Sequence, residues 1–421
     1  MPLEPPSILP TDTAVCHILP NLRLSSRFGN FFLSIVLTIT IGCSSFYSLF
    51  AQQPAAVTKL KIGIVLPLYL DSAFDKNNQY RYENKLPAFF NPGLETYMGI
   101  LAAIDTLIKE KAPVSIRIFD SRSSQTSIEK LIENDSLNKL DILIGHVNLN
   151  EAALLSQYSA QQKIPFLNIN LPNEAKTTNN PNYILLNPTL ATHCQGLYRF
   201  LQRNCPTRSV LMIQKKDPAE ERIFNYYKEA QKATGLAAEE INQIIVEDSP
   251  DVYTLTPWLD STKNNICIIG SLDLNFAAAV CRQLGVLTRT YRITVVGMPN
   301  WETADLSKPS FAGLDIFYSS SLYVSPDNTL AKNLQLHLKN VHFSRTSEFS
   351  YRGYESLFEI AHLQKKSGLS LLYQLQSPRT TLLGSWEIFP VINKKSGQAD
   401  YSENKKLYFL NKTDGLLKAV Y

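Results

Sequence analysis

The run Leu60-Lys61-Ile62-Gly63-Ile64-Val65-Leu66-Pro67-Leu68 is short, rich in β-branched residues and closed by a proline. Near-continuous apolar character over that length reads as a strand covered on both faces. Further along, Gly93 to Lys111 repeats apolar residues at Leu94, Met98, Leu101, Ile104 and Ile108, which marks one face of a helix. The polar stretch between them, Asp71 to Pro92, is longer than most connections and is a candidate rim of a site. Strand, loop and amphipathic helix then recur: Val114 to Phe119, Asp141 to Ile144, Ile164 to Ile169 and Tyr183 to Leu186 read as strands with helices between them. This alternation predicts a parallel sheet covered by helices.

Asn187-Pro188-Thr189 follows with the turn chemistry of a crossing point. A second series begins at Ala191, with strands at Ser209 to Gln214, Ile241 to Val246, Ile266 to Ile269 and Tyr291 to Val296. After it the alternation fails. Leu314 to Val324 reads as extended, Leu330 to Val341 and Tyr351 to Lys365 as helical, and Leu407 to Val420 as paired strands. The expected class is therefore α/β, with two doubly wound α/β lobes joined by a hinge of crossing strands. The expected division is 58–187 plus 322–378 for lobe 1 and 188–321 plus 379–421 for lobe 2. No Gly/Ser or Pro-rich linker separates them, so any motion is expected about the crossing segments.

The totals agree with two lobes. The chain has 421 residues, 44% hydrophobic and 19% charged, with a net charge of +4, more than one core usually holds. Its basic residues are scattered singly or in pairs such as Lys215-Lys216 and Lys394-Lys395, a pattern of solvated faces that argues against a nucleic-acid partner.

Residues 1–51 stand apart. Arg23 and Arg27 precede an apolar run from Phe31 to Ile41, followed by small and aromatic residues up to Ala51, an export signal by composition. The run is short of the ~20 apolar residues of a spanning helix. Cleavage after Ala51 is the preferred reading, with an uncleaved anchor that holds the chain to the membrane, and a lipoprotein formed through Cys43, as alternatives. Residues 1–22 lie ahead of the basic region.

Of the cysteines after Ala51, Cys194 and Cys205 flank an expected helix and would lie about 16 Å apart, beyond the reach of a disulfide. Cys267 and Cys281 fall in a strand and the next helix, where burial as small hydrophobes is expected. The five histidines after Ala51 show no metal-ligand spacing along the sequence, so no metal and no cofactor are expected. Gly-x-Ser-x-Gly, phosphate-loop and His-Glu-x-x-His patterns are not found, nor a Rossmann glycine triplet after Val65. An enzyme is thus the least supported class.

Two such units in series, followed by helices and returning strands, resemble the type I periplasmic solute-binding proteins, the family of the branched-chain amino-acid receptors. The resemblance rests on Leu66-Pro67-Leu68-Tyr69, Ile144-Gly145-His146, Ile164-Pro165-Phe166, Arg352-Gly353-Tyr354-Glu355 and the closing run Asn404 to Tyr421. A narrower likeness, in Gly297 to Glu302 and Leu314 to Ser320, is similar to a bacterial branch often linked to LysM modules, although no LysM repeat is recognisable here. The resemblance implies an exported, periplasmic protein that closes on a small-molecule ligand and docks on the membrane permease of an ABC-type importer. The alternative it leaves open is an envelope scaffold or regulator that keeps the fold and binds a protein or a peptidoglycan fragment.

Open α/β sheets bind ligands at the C-terminal ends of their strands. The candidates on the first lobe are therefore Tyr69, Asp120, Ser121, His146, Asn148, Asn168 and Asn170. On the second they are Lys215, Lys216, Ser271, Asp273, Asn300, Trp301 and Glu302. Trp301 could seal an apolar ligand face or pack beneath its own loop. Glu302 and Asp273 could meet a ligand ammonium or stand as solvated surface groups. Amino-acid receptors of the family usually place Ser or Thr after the third strand to hold a carboxylate. This chain has Gly145-His146-Val147-Asn148 there, which suits neutral polar groups as well as anions.

Overall fold

The computed structural model describes residues 58–420, apart from 84, 206–207, 234–239, 364–369 and 414–415. The expected export signal, its cleavage site at Ala51 and the Cys43 alternative lie outside the described residues. No helix among those described is long and apolar enough to cross a membrane.

The first sheet is ordered β13-β14-β5-β4-β3-β1-β2. It is built from β1 (Leu60–Leu66), β2 (Val114–Asp120), β3 (Ile142–Gly145), β4 (Phe166–Asn168) and β5 (Tyr183–Leu185), all parallel. The second is ordered β16-β15-β10-β9-β8-β6-β7. Its parallel part comprises β6 (Arg208–Gln214), β7 (Ile241–Ile245), β8 (Asn264–Ile269), β9 (Arg292–Val296) and β10 (Asp315–Ser320). Both parallel parts follow the same order, with the second strand outside the first and the third on its other side. Each sheet thus has a switch point beside its first strand, the place where ligand crevices open.

The helices are α1 (Asn91–Glu110), α2 (Ile128–Glu133), α3 (Leu149–Gln162), α4 (Leu190–Asn204), α5 (Pro218–Ala233), α6 (Leu274–Leu287), α7 (Thr329–Asn340), α8 (Glu348–Ala361) and α9 (Leu371–Gln376). The stripe expected to bury α1 is only half-covered, and Ile108 is exposed. The residues buried instead include Thr96, Gly99, Ala102 and Ala103. The reason is that α1 lies under α8, and small side chains let the backbones touch. A Cβ on Gly99 would stand 2.0 Å from the Ser350 carbonyl oxygen, and one on Gly353 would stand 2.3 Å from that of Thr96.

The tail departs from the sequence reading. After a short ladder, β11 (Arg379–Thr380) with β12 (Ser385–Trp386), the strands β13 (Ile388–Ile392) and β14 (Ala399–Asn404) join the first sheet, β14 running parallel to β5. Only β15 (Tyr408–Thr413) and β16 (Leu416–Val420) return to the second sheet, where β15 pairs antiparallel with β10. The segment 379–421 expected in one lobe is therefore split between the two sheets. Glu403 and Ser402, polar and buried at the end of β14, do not read as core from sequence.

The apolar clusters separate in the same way: one gathers Cys194 to Leu410 around the second sheet, and two others flank the first. Cys194, Cys267 and Cys281 are buried free thiols, and Cys205 is free and half-buried. The chain crosses between sheets at residues 186–189, 321–324 and 405–407. Glu403 ties the first crossing to the third: its carboxylate accepts from the Thr189 backbone N–H at 2.7 Å, from the Thr189 hydroxyl at 2.9 Å and from the Thr192 hydroxyl at 2.7 Å, and it pairs with Lys405.

Candidate functional site

Many of the strand-end residues serve the loops that carry them. Asp120, after β2, accepts from the backbone N–H groups of Leu68, Tyr69 and Arg122 through Oδ1, and from that of Leu70 through Oδ2. It shapes the turn that follows β1. Tyr69, at φ 57°, packs edge-on to Phe89 at 5.1 Å, and the Asp71 to Pro92 loop closes on itself through Phe74, Tyr80, Tyr82, Phe89 and Phe90. Ser121 is buried, with no partner for its hydroxyl among the described residues.

Asn148 caps α3, and Glu151 returns the favour by accepting from the Asn148 N–H at 2.8 Å. Asn168 is fully buried and bonded to Leu171 and Tyr183, while Asn170 bridges to both backbone groups of Val147. His146 shares 2.8 Å with the Thr96 hydroxyl and lies 5.3 Å from the Phe349 ring. Burial, helped by the Arg352 charge, pushes its pKa down to about 4.

On the second lobe, Asp273 caps α6 and pairs with Lys215 at 2.8 Å, and Lys215 also reaches Asp248 at 3.2 Å. Ser271 accepts from the Asp273 N–H. Lys216 lines a separate cavity beside α5. Trp301 is fully buried against Phe311, and its ring fills the space beside Gly297. It packs beneath its loop and cannot stack on a ligand in this conformation.

Asn300 and Glu302 are different. They line a cavity of about 300 Å³ between the sheets, with Asn187 and Pro188 of the first crossing, Ser320 at the end of β10, Ser321 of the second crossing, and Glu348 at the start of α8. Pro172, Leu190, Leu272 and Pro299 supply apolar wall, and a neighbouring cavity of about 340 Å³ shares the first three. The Asn300 side-chain carbonyl is buried without a partner among the described residues, while its amide donates to the Leu272 carbonyl at 2.7 Å.

Several of the lining residues belong to one hydrogen-bonded chain. Arg352 donates to Glu348 and, at 2.6 Å, to the Ser321 hydroxyl; Ser321 donates to Asn187 at 2.8 Å, and Asn187 to the Asn170 carbonyl at 2.9 Å. Ser320 donates to Glu302 at 2.8 Å. Glu302 reaches the open cavity, yet the walls about it, and secondarily the Glu348 charge, push its carboxyl up to about 7. Deeper, His193 Nδ1 lies 2.9 Å from Ser319 Oγ, and burial holds its pKa down to about 3.

The strand-end rule thus placed Asn300 and Glu302 in the cavity and missed Glu348, Arg352, Ser320 and Ser321. Ser320 is itself a strand end, on β10, though outside the candidates; Ser321 comes from a crossing segment and Glu348 and Arg352 from the start of α8, although Arg352 sits in a motif that the resemblance had singled out. The expectation of no metal from histidine spacing also meets a difference: the fold gathers His337, His342 and Asp105 on the outer side of the first lobe, away from this cavity.

Comparison with protein-family models and with curated proteins finds no match. Solved structures do match. One described as a branched-chain amino acid ABC transporter from Rhodospirillum rubrum superposes with a TM-score of 0.61 at 12% identity, over 86% of this chain and 100% of that one. An ABC transporter substrate-binding protein from Desulfitobacterium hafniense matches with a TM-score of 0.53 at 12% identity, again over 86% and 100%. Another from Sphaerobacter thermophilus gives 0.52 at 14%, over 86% and 96%. The chain has the two-lobed fold of the substrate-binding proteins. At these identities the likeness establishes the fold, and the ligand must be argued from the cavity.

Proposed function

We propose that this chain captures a small solute bearing a cationic group between its two lobes and performs no chemistry on it. The observation that carries the reading is that Glu302 and Glu348 come from opposite lobes and line the same cavity, while the nearby cation, Arg352, is bonded to Glu348. An ammonium placed there would offset both the burial that chiefly raises the Glu302 carboxyl and the lesser repulsion from Glu348, in a site where charge pairing is stronger than in water. The proline and leucine walls suit a partly apolar body. An α-carboxylate has less to gain, because the start of α3 already holds the Glu151 carboxylate; an amine fits better than a free amino acid.

The non-enzymatic reading is supported at the one serine–histidine pair near the cavity. Ser319 is fully buried, and an imidazole held near 3 is a poor base at neutral pH. The fold, and the export signal read at the N-terminus, support delivery to the permease of an ABC-type importer from the periplasmic side. The likeness of Gly297 to Glu302 to the LysM-linked branch supports the same envelope location.

The test is to heat the purified protein with panels of amines, amino acids, carboxylates, sugars and muropeptides. A ligand at a hundred times its Kd stabilises by about 2.7 kcal/mol. Stabilisation by amines supports the proposal. No shift with any panel, together with retention of an envelope protein, would favour the scaffold reading.

A further inference from the structure

On the outer side of the first lobe, Asp105 lies on α1, His337 near the end of α7, and His342 in the turn after it. Both imidazole Nε2 atoms stand 2.8 Å from the same oxygen, Asp105 Oδ2, and the three atoms lie within 4.8 Å of one another. The rings meet nearly edge to face, with centroids 5.2 Å apart and planes at 75°, so two nitrogens and one oxygen converge on a point without the rings stacking. We propose that Asp105, His337 and His342 form a binding site for a divalent transition-metal ion, with zinc the best match.

The donor set is the first argument. Two imidazole nitrogens and one carboxylate oxygen are a zinc-type set, and three protein ligands with an open fourth position are a recurring arrangement. Zinc bonds of about 2.0–2.1 Å at tetrahedral angles place ligand atoms about 3.3 Å apart. The two N···O separations of 2.8 Å therefore need to open by about half an ångström, and the N···N separation, within 4.8 Å, to settle near the same spacing. With neutral imidazoles the three ligands carry one negative charge, which favours a divalent cation.

The chain's path points the same way. Beyond α7, Val341 and Phe343 are turned outward, 52% and 90% exposed, and Phe343 takes a left-handed φ of 49°. A turn that leaves two large apolar side chains in water and bends a non-glycine residue into that region is poorly explained by burial. What it achieves is to bring the His342 ring, 13% exposed, over Asp105. A cavity of about 240 Å³ adjoins the His337 side of the cluster.

An ion would also serve the attachment of α7. The buried apolar contact of α7 with the rest of the lobe is the small cluster of Ala102, Leu334 and Leu338, with Met98, Tyr351 and Tyr354 packed around it. An ion joining α1 to both ends of the turn would fasten this helix where packing is thin. Lys109 lines the same cavity and is the one opposing charge there; its long side chain can turn to solvent.

The test uses the untagged chain, stripped with chelator, and zinc or cobalt ions alone as probe. Calorimetry should give one zinc per chain, and cobalt should give the visible absorption of a four-coordinate site. His337→Gln, His342→Gln and Asp105→Asn should each weaken zinc at least about tenfold while circular dichroism stays native. Zinc should raise the melting temperature of the parent and not of the variants. His362→Gln, at a surface ion pair with Glu110, should change nothing. Binding unaffected by all three site variants, binding lost in His362→Gln, or no binding of either ion would each overturn the assignment. Should one variant misfold, the other two decide.

Discussion

The Arg352 guanidinium, on α8 of the first lobe, donates to the Ser321 hydroxyl of the second crossing segment at 2.6 Å. Ser321 passes the contact to Asn187 of the first crossing, so one cation fastens two of the three strands between the lobes. The same guanidinium holds Glu348 at the mouth of the cavity. Crossing segments and cavity are thus joined through a single side chain.

Replacing Arg352 with Met keeps most of the side-chain volume and removes these bonds. Arg352 is buried while Glu348 is 38% exposed, so the full penalty of breaking a buried pair is moderated by solvent. The expected loss is about 2 kcal/mol, measured by urea denaturation, and it should exceed that of Glu348→Gln.

Gly353→Ala tests the helix contact that sets the position of Arg352. The added methyl would meet the Thr96 carbonyl at 2.3 Å, and neither backbone can yield without moving a helix. Overpacking of this kind costs about 2 kcal/mol. The expected outcome is a lower urea midpoint with weaker ligand binding, because α8 carries Glu348 as well.

Asp120→Ala should destabilise by about 3 kcal/mol, since four backbone N–H groups lose their acceptor. Asp120→Asn should be milder, because Oδ1 alone receives three of the four. If either substitution abolishes ligand binding without loss of stability, Asp120 contacts the ligand after all.

Two groups give opposite pH signatures. The folded-state pKa of Glu302 is raised to about 7, so its contribution to stability is full below its ordinary 4.5 and is lost as pH rises through about 7. Glu302→Gln should therefore gain stability over the parent between pH 4.5 and 7 and hold that gain above it. The folded-state pKa of His193 is depressed to about 3, so its contribution is present above 6.5 and lost as the pH falls toward 3. The parent should lose stability over that window relative to His193→Gln. Urea curves at several pH values on the three proteins separate the two.

The fold was legible because parallel strands such as β1 and β8 are buried on both faces and read as apolar runs, while the helices between them keep a polar side. The tail was not. In β14 the sequence Ala399-Asp400-Tyr401-Ser402-Glu403-Asn404 has only Ala399 and Tyr401 as apolar residues, and its place beside β5 is supported by hydrogen bonds of Ser402, Glu403 and Asn404. At the site, strand-end position was read well and its use was not. Asp120, Asn148, Asn168 and Asp273 are short polar residues beside free backbone N–H groups, and such residues satisfy their own loops before they meet a ligand. Glu348 and Ser321 reach the cavity only because lobes and crossings fold together, and Asp105 meets His337 across 232 positions, beyond any spacing rule.

The central claim, that carboxylates from the two lobes jointly hold a cationic solute, is tested most directly by calorimetric titration at pH 8. The best amine from the heating panel would be titrated into the parent, Glu302→Gln and Glu348→Gln. The expected result is one site per chain, with each substitution weakening binding about tenfold or more. Equal affinity in all three proteins would contradict the account.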